Sequence, residues 1–139
     1  MTVDQFPRRE RLEVARTRVS PGVVVLALAG ELDTATAARV TRATDEVLAT
    51  GDRPPVLIVD LSAVSFLSVA GVRAIHSAHD AAGHQRFRVV TGENPGVREF
   101  LHATGFDAVL NCYRSRKAAL TAGSLAEFVN RAKAVRNAG

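Results

Sequence analysis

The stretch that most restricts the fold is residues 56–71, VLIVDLSAVSFLSVAG. An apolar run closes at Asp60, a short link and a second apolar patch come next, and Ser68-Val69-Ala70-Gly71 opens a helical pattern. Such a run reads as a buried strand. The strand delivers a helix N-terminus to the surface. The first amides of a helix have no acceptor within it, so this is a place for a capping side chain, an anion or a partner.

The rest of the chain falls into similar short units. Residues 12–19 set Leu12 and Val14 against Glu13, Arg16 and Arg18, as a half-exposed strand does. Ser20-Pro21-Gly22 is a turn, and 23–28 is a second, buried strand, so the two read as a hairpin. Gly30-Glu31-Leu32-Asp33 breaks the run. A helix is expected over 34–49, with Ala37, Val40, Thr44 and Val47 on one face, a cap from Asp33, Thr34 or Thr36, and a stop at Gly51. Pro54-Pro55 leads into a strand over 56–60, then a helix over 69–82 and a strand over 87–90. Asn94 and Pro95 read as cap and first residue of a helix that Gly105 ends. A strand over 109–113 and helices over 115–122 and 125–135, broken at Gly123, complete the order.

This order predicts an α/β fold with a mixed central sheet of about five strands, an opening β-hairpin, and about four to five helices joined by right-handed crossovers. Three regions are expected: a polar lead over 1–11, one domain over 12–122, and a C-terminal amphipathic helix and tail over 123–139. That last helix carries Leu125, Phe128, Val129, Ala132 and Val135 on one face, for its own domain or for a partner.

Composition narrows the function. The longest apolar run, 23–29, is strand length, far short of the roughly 20 residues a membrane span needs. The opening residues lack the apolar core of a secretory signal, so a cytoplasmic protein without membrane contact is expected. The net charge of +4 comes from scattered basic residues, with one tyrosine and no tryptophan for stacking, so no direct nucleic-acid binding is expected. Cys112, the single cysteine, sits in an apolar run and reads as a buried thiol. Neither a Walker loop nor Gly-x-Gly-x-x-Gly occurs. Glu31 and Asp33, between strand and helix, read as loop and cap. His76 and His79 have the spacing of a shared metal pair, with His84 further on, but no acidic or thiolate third ligand stands obviously beside them. They read as one surface and one partly covered histidine, and His102 has no assignable role. No catalytic residue, cofactor or metal is expected.

Several short motifs carry a resemblance. Gly30-Glu31-Leu32-Asp33, Ile58-Val59-Asp60-Leu61-Ser62, and Val64-Ser65-Phe66-Leu67 before Gly71 resemble the STAS domain of bacterial anti-sigma factor antagonists. Asn94-Pro95-Gly96-Val97-Arg98-Glu99-Phe100-Leu101 and Thr104-Gly105-Phe106 are also similar to that family, and the likeness spans about residues 12–122. It implies a binding protein of transcription regulation, not an enzyme. Such an antagonist binds an anti-sigma factor, often a serine kinase using ATP, and so frees the sigma factor. Phosphorylation of a serine at the start of the second helix, in the pattern Asp-Ser-Ser/Thr-Gly, breaks the complex.

Here Ser68 stands at the aspartate, Val69 at the acceptor serine and Ala70 at the second hydroxyl residue, and only Gly71 is retained. Val69 has no oxygen to phosphorylate. Ser68 is the one nearby substitute, and an N-cap role already accounts for it. Helical spacing puts Val69 on an exposed face with Arg73, His76 and Asp80, and Val72, Ile75, His79 and Ala82 toward the core. The expected partner surface is Leu32, Asp33, Thr34, Ser68, Val69, Arg73 and His76. Two alternatives stand beside an antagonist lacking its phosphoacceptor. One is a degenerate STAS scaffold that assembles with itself, other STAS proteins or sensor proteins. The other is a small-molecule or nucleotide-binding domain.

Overall fold

The computed structural model describes residues 11–49, 54–84 and 86–121. The expected helix over 125–135, nearly all of the polar lead, and the stops at Gly51 and Gly123 lie outside the described residues. The elements are β1 (Leu12–Ser20), β2 (Val23–Leu32), α1 (Ala37–Ala49), β3 (Val56–Leu67), α2 (Val69–Ala82), β4 (Phe87–Val90), α3 (Pro95–Thr104), a 3₁₀ turn (Phe106–Ala108) and β5 (Cys112–Tyr113). A further helix, α4, begins at residue 116 and is described as far as 121.

The five strands form one sheet in the order β1-β2-β3-β4-β5. β1 and β2 pair antiparallel, and the remaining pairs are parallel. The expected mixed α/β sheet with an opening hairpin is therefore present. Along β2, the first part of β3 and β4, alternate residues face opposite sides and both sides are covered, whereas β1 is exposed from Ala15 to Ser20. Val24, Leu26, Leu28, Leu57, Val59, Phe87 and Val89 pack beneath α1, α2 and α3. Val25, Ile58 and Val90 pack beneath Ala119 of α4. Burial on both faces is why β2 and β3 read as unbroken apolar runs instead of alternating ones.

Besides the end of β3, three boundaries differ from expectation. β2 continues through Gly30, which takes φ +113°, to Leu32. α1 starts at Ala37, not residue 34. β5 is two residues, because Phe106–Ala108 wind into the 3₁₀ turn directly after Gly105 at φ +82°.

α4 is tied to its face by polar contacts as well. The Arg116 Nε donates to Asp60 Oδ2 at 2.7 Å, and the Arg88 guanidinium donates to the carbonyl of Ala119 at 3.0 Å. Asp60 is 6% exposed. Burial alone would raise its carboxyl pKa. The Ser62 hydroxyl and amide and the Arg116 guanidinium outweigh burial and hold it below the usual carboxylate value. A carboxylate held low stabilises the fold above its unfolded pKa of about 3.9, and that contribution is lost as the pH falls through the folded value. Asp60→Asn is therefore expected to cost about 1.5–3 kcal/mol in urea unfolding at neutral pH. The gap between variant and parent should narrow below about pH 4, and a gap that is constant with pH would contradict this account.

Candidate functional site

β3 runs seven residues past Asp60, where the sequence shows only a link and a patch. From Val56 to Asp60 it pairs with β2 residue for residue, with Val23 opposite Val56 and Ala27 opposite Asp60. Ala29 then lies opposite Ala63, and Glu31 opposite Phe66, so β3 carries one extra residue at each of two bulges. The bulges change which side chains turn outward. Ser62 and Ala63 are exposed, Val64 is buried, Ser65 and Phe66 are exposed, and Leu67 is buried. A three-residue beat replaces alternation and puts Phe66 at the surface, 54% exposed.

β4 accompanies β3 only along Leu57–Asp60, so the extension needs other hydrogen-bond partners. Asn94 supplies them. Its Nδ2 donates to the carbonyls of Val64 at 2.7 Å and Ser62 at 3.3 Å, while its Oδ1 accepts from the Val97 amide at 3.4 Å and caps α3. One side chain thus starts α3 and fixes it beside the extension.

The turn into α2 is held from the other side by Leu32. The Ser68 amide donates to the Leu32 carbonyl at 3.0 Å, and the Ser68 Oγ accepts from the Gly71 amide at 3.3 Å as the N-cap. A Cβ on residue 71 would lie 2.6 Å from Leu32 Cγ and 2.8 Å from Leu32 O. Only glycine lets the helix approach this closely.

Asp33 organises the adjoining loop. Its Oδ1 accepts from the amides of Ala35 at 3.0 Å and Thr36 at 3.1 Å, and its Oδ2 receives Arg11 at 3.2 Å. The Thr36 hydroxyl donates to the carbonyl of Glu31 at 2.8 Å. These bonds satisfy the amides before Ala37 in a turn, which is why α1 begins late. The loop-and-cap role expected of Asp33 is what its contacts provide.

The residues singled out from sequence converge on this end of the molecule. Ser68 is half-buried, and Val69, Arg73 and Thr34 are exposed, with Val69 at 43%. His76 is half-buried, while Val72, Ile75, His79 and Ala82 are buried as their spacing predicts. Leu32 is fully buried, so its part in the surface is to place Ser68 and Gly71 and not to present a side chain. Sequence reasoning missed Phe66, Asn94 and Phe100. With Val69 and Val97 they line an open, largely apolar groove of about 520 Å³ between the β3 extension, the start of α2 and α3. No sequence signal marks it, because the exposed doublets after Asp60 include the apolar Ala63 and Phe66.

The geometry bears on two further expectations. Cys112 is half-buried where a buried thiol is expected, and its thiol is pushed up to about 11, by burial first and the charge of Asp107 second, which keeps it protonated. The expectation that no acidic group accompanies the histidine pair is corrected. Asp80 Oδ1 lies 3.3 Å from His79 Nδ1 and 3.7 Å from His76 Nε2, because one helical turn returns residue 80 to the face of residue 76.

Comparison with known proteins gives consistent results. The profile of the STAS domain matches residues 15–119. Over 100 residues the chain is 34% identical to the anti-sigma-F factor antagonist RsfB of Mycobacterium tuberculosis, covering 72% of this chain and 80% of that protein. The crystal structure of an anti-sigma factor antagonist from Mycobacterium paratuberculosis superposes with TM-score 0.73 and 33% identity, over 81% of this chain and 94% of that one. SpoIIAA in its unphosphorylated form, an anti-sigma factor antagonist, shares the fold, at TM-score 0.60 and 18% identity over 78% of this chain and 93% of that one.

The close approach at residue 71 sets a test of the scaffold. Gly71→Ala is expected to lower stability by about 1–3 kcal/mol, since the added methyl meets a backbone carbonyl and a packed leucine. Ser68→Ala removes the cap and should cost about 1 kcal/mol. Thermal and urea unfolding read both effects, and an unchanged midpoint for Gly71→Ala would refute the packing argument.

Proposed function

The chain belongs to the STAS domain family, and on that premise we propose that it is an anti-sigma factor antagonist whose binding surface carries no phosphorylation switch at the start of α2. The observation that carries this reading is the pair Phe66 and Val69, both exposed at the mouth of an apolar groove, with valine where a regulated antagonist has its acceptor serine. Exposed aromatic and aliphatic side chains beside a groove are what a protein partner buries. The relatives named as anti-sigma factor antagonists supply the class of partner.

The partner surface is built from Thr34 and Asp33 on the β2–α1 loop, Ser68 and Val69 at the helix start, and Arg73 and His76 along the exposed face of α2. Phe66 and the groove extend it toward α3. Leu32 supports it from beneath. The partner is an anti-sigma factor, of the kind that is a serine kinase using ATP, and release of its sigma factor is the output. No chemical step is assigned to this chain. Among the described residues no helix is long and apolar enough to cross a membrane, which agrees with a protein that acts by binding other proteins.

The hydroxyl of Ser68 accepts the Gly71 amide and is half-buried, so its capping role is sufficient reason for a serine there. Val69 leaves the contact made at the helix start unswitched, and any control of it lies elsewhere.

Two experiments test the reading. Purification from the native cell with identification of bound proteins is expected to yield an anti-sigma factor, and Val69→Asp should weaken that complex at least about tenfold by burying a charge against an apolar contact. Recovery of STAS proteins alone would favour the scaffold instead. Incubation with the recovered kinase and ATP should leave Ser68 unmodified by mass spectrometry, and stoichiometric phosphate on it would overturn the unswitched surface.

A further inference from the structure

The second half of α2 and the turn just past it gather three of the four histidines of the chain and one carboxylate. His79 is the centre of the group. It is 8% exposed, with its ring edge-on to Phe87 at a centroid distance of 5.8 Å. Its two nitrogens face different partners. Nε2 lies 2.8 Å from Nδ1 of His84, and Nδ1 lies 3.3 Å from Oδ1 of Asp80. His76 stacks on His79 at a centroid distance of 5.7 Å, also meets the ring of Phe106, and brings its Nε2 to 3.7 Å from the same carboxylate oxygen. One donor atom from each of His76, His79 and Asp80 lies within 4.8 Å of the others.

We infer that His76, His79 and Asp80 form a binding site for a divalent transition-metal ion, with zinc as the best fit. The separations decide this. Four ligands on a tetrahedral zinc with bonds of about 2.0–2.1 Å stand about 3.3–3.4 Å apart. The His79–Asp80 separation already equals that edge, and the His76–Asp80 separation exceeds it by a few tenths of an ångström. The three donor atoms lie within 4.8 Å of one another, and rotation of the half-exposed His76 out of its near-parallel stack on His79, with adjustment of the exposed Asp80, closes the set. Two imidazoles and a carboxylate suit zinc and its neighbours better than calcium or magnesium, which take oxygen ligands.

His84 completes the site without binding the ion. A metal on Nδ1 of His79 requires the proton on Nε2, and that N–H then donates to Nδ1 of His84. Ligating histidines are held in this way by an acceptor on the far nitrogen, which fixes both tautomer and ring orientation. His79 is locked by burial and by His84 together, so the ion meets one rigid ligand and two adjustable ones. Water takes the fourth position, since the mouth of the site is open at Asp80.

The site lies outside the groove, although it shares His76 with the partner surface proposed above. Its nearest residue to the groove along α2 is His76, two helical turns from Val69 and so about 10 Å along the axis. The inference does not depend on the partner proposed above, because its readout is the metal alone.

Calorimetric titration of the tag-free chain with Zn²⁺ is expected to show one ion bound per chain. Titration with Co²⁺ should give visible absorption of four-coordinate type, which separates a true coordination site from loose surface association. His76→Ala and Asp80→Asn, both on the exposed side, should each weaken Zn²⁺ binding at least about tenfold, and His84→Ala by about ten- to a hundredfold as loss of an orienting partner does. His102→Ala, on a histidine paired with Asp107 away from the cluster, should bind as the parent does. The far-ultraviolet circular dichroism of each variant confirms folding before titration. Equal Zn²⁺ affinity in the parent and the His76→Ala, Asp80→Asn double variant would overturn the site and leave a hydrogen-bonded histidine cluster.

Discussion

The contact between Leu32 and Gly71 holds the functional end of this molecule together. The Leu32 carbonyl receives the Ser68 amide, and its side chain occupies the space that a Cβ on residue 71 would need. β2 and α2 can meet this closely only through glycine. Once they do, the rest is determined. Ser68 must lie at the helix cap, Val69 must point away from the sheet, and the residues before them must reach the cap by a strand longer than its neighbour β4. The bulges in β3 answer that demand for extra length. So does Asn94, which supplies the hydrogen bonds that β4 no longer offers.

The sequence disclosed the fold through its apolar runs and its punctuation, and it failed where tertiary pairing overrode local pattern. Residues 23–28 of β2 and the first five residues of β3 stand out because both faces of these strands are covered. Pro95 and the glycines at 83 and 105 mark helix ends that the structure keeps. The extension of β3 was not legible. Its burial keeps a beat of three, set by pairing with β2, and a single strand read alone has no means of showing where its partner slips. The late start of α1 was hidden for a related reason. Asp33, Thr34 and Thr36 are all good caps, and only the carbonyl of Glu31 and the guanidinium of Arg11 decide how the loop closes.

The site was legible along α2 and invisible across it. Helical spacing alone places Val69, Arg73, His76 and Asp80 on one face, and in the structure Val69, Arg73 and Asp80 are exposed while His76 is half-buried. Spacing says nothing of which other element stands beside that face. Phe100 and Asn94 lie about thirty residues away and enter only through the packing of α3 against the β3 extension. The histidine cluster shows the same limit at shorter range. His76 and Asp80 are one turn apart, but their convergence with His79 depends on the ring of Phe87 beneath and on His84 beyond the end of α2.

On the proposed reading, in which Val69 stands at the acceptor position, a valine there changes more than the availability of an acceptor oxygen. Full burial of a valine or phenylalanine side chain contributes about 1.5–3 kcal/mol, and Val69 and Phe66 each retain roughly half of their surface for a partner to cover. Together they offer about 1.5–3 kcal/mol, which is between one and two orders of magnitude in affinity. A serine hydroxyl at the same place contributes far less when buried and must find a hydrogen-bond partner or be penalised. In the complex proposed above, the valine would therefore strengthen the contact as well as deny it a site of modification. A phosphate carried instead on Ser68 would sit one residue earlier, against the free amides of the first helical turn, where the helix itself compensates part of the charge. The repulsion that such a group can direct at a partner is correspondingly smaller. Position 68 is thus a good place for a cap and a poor place for a switch, and the physics of the helix terminus favours the same division of roles that the side chains at 68 and 69 display.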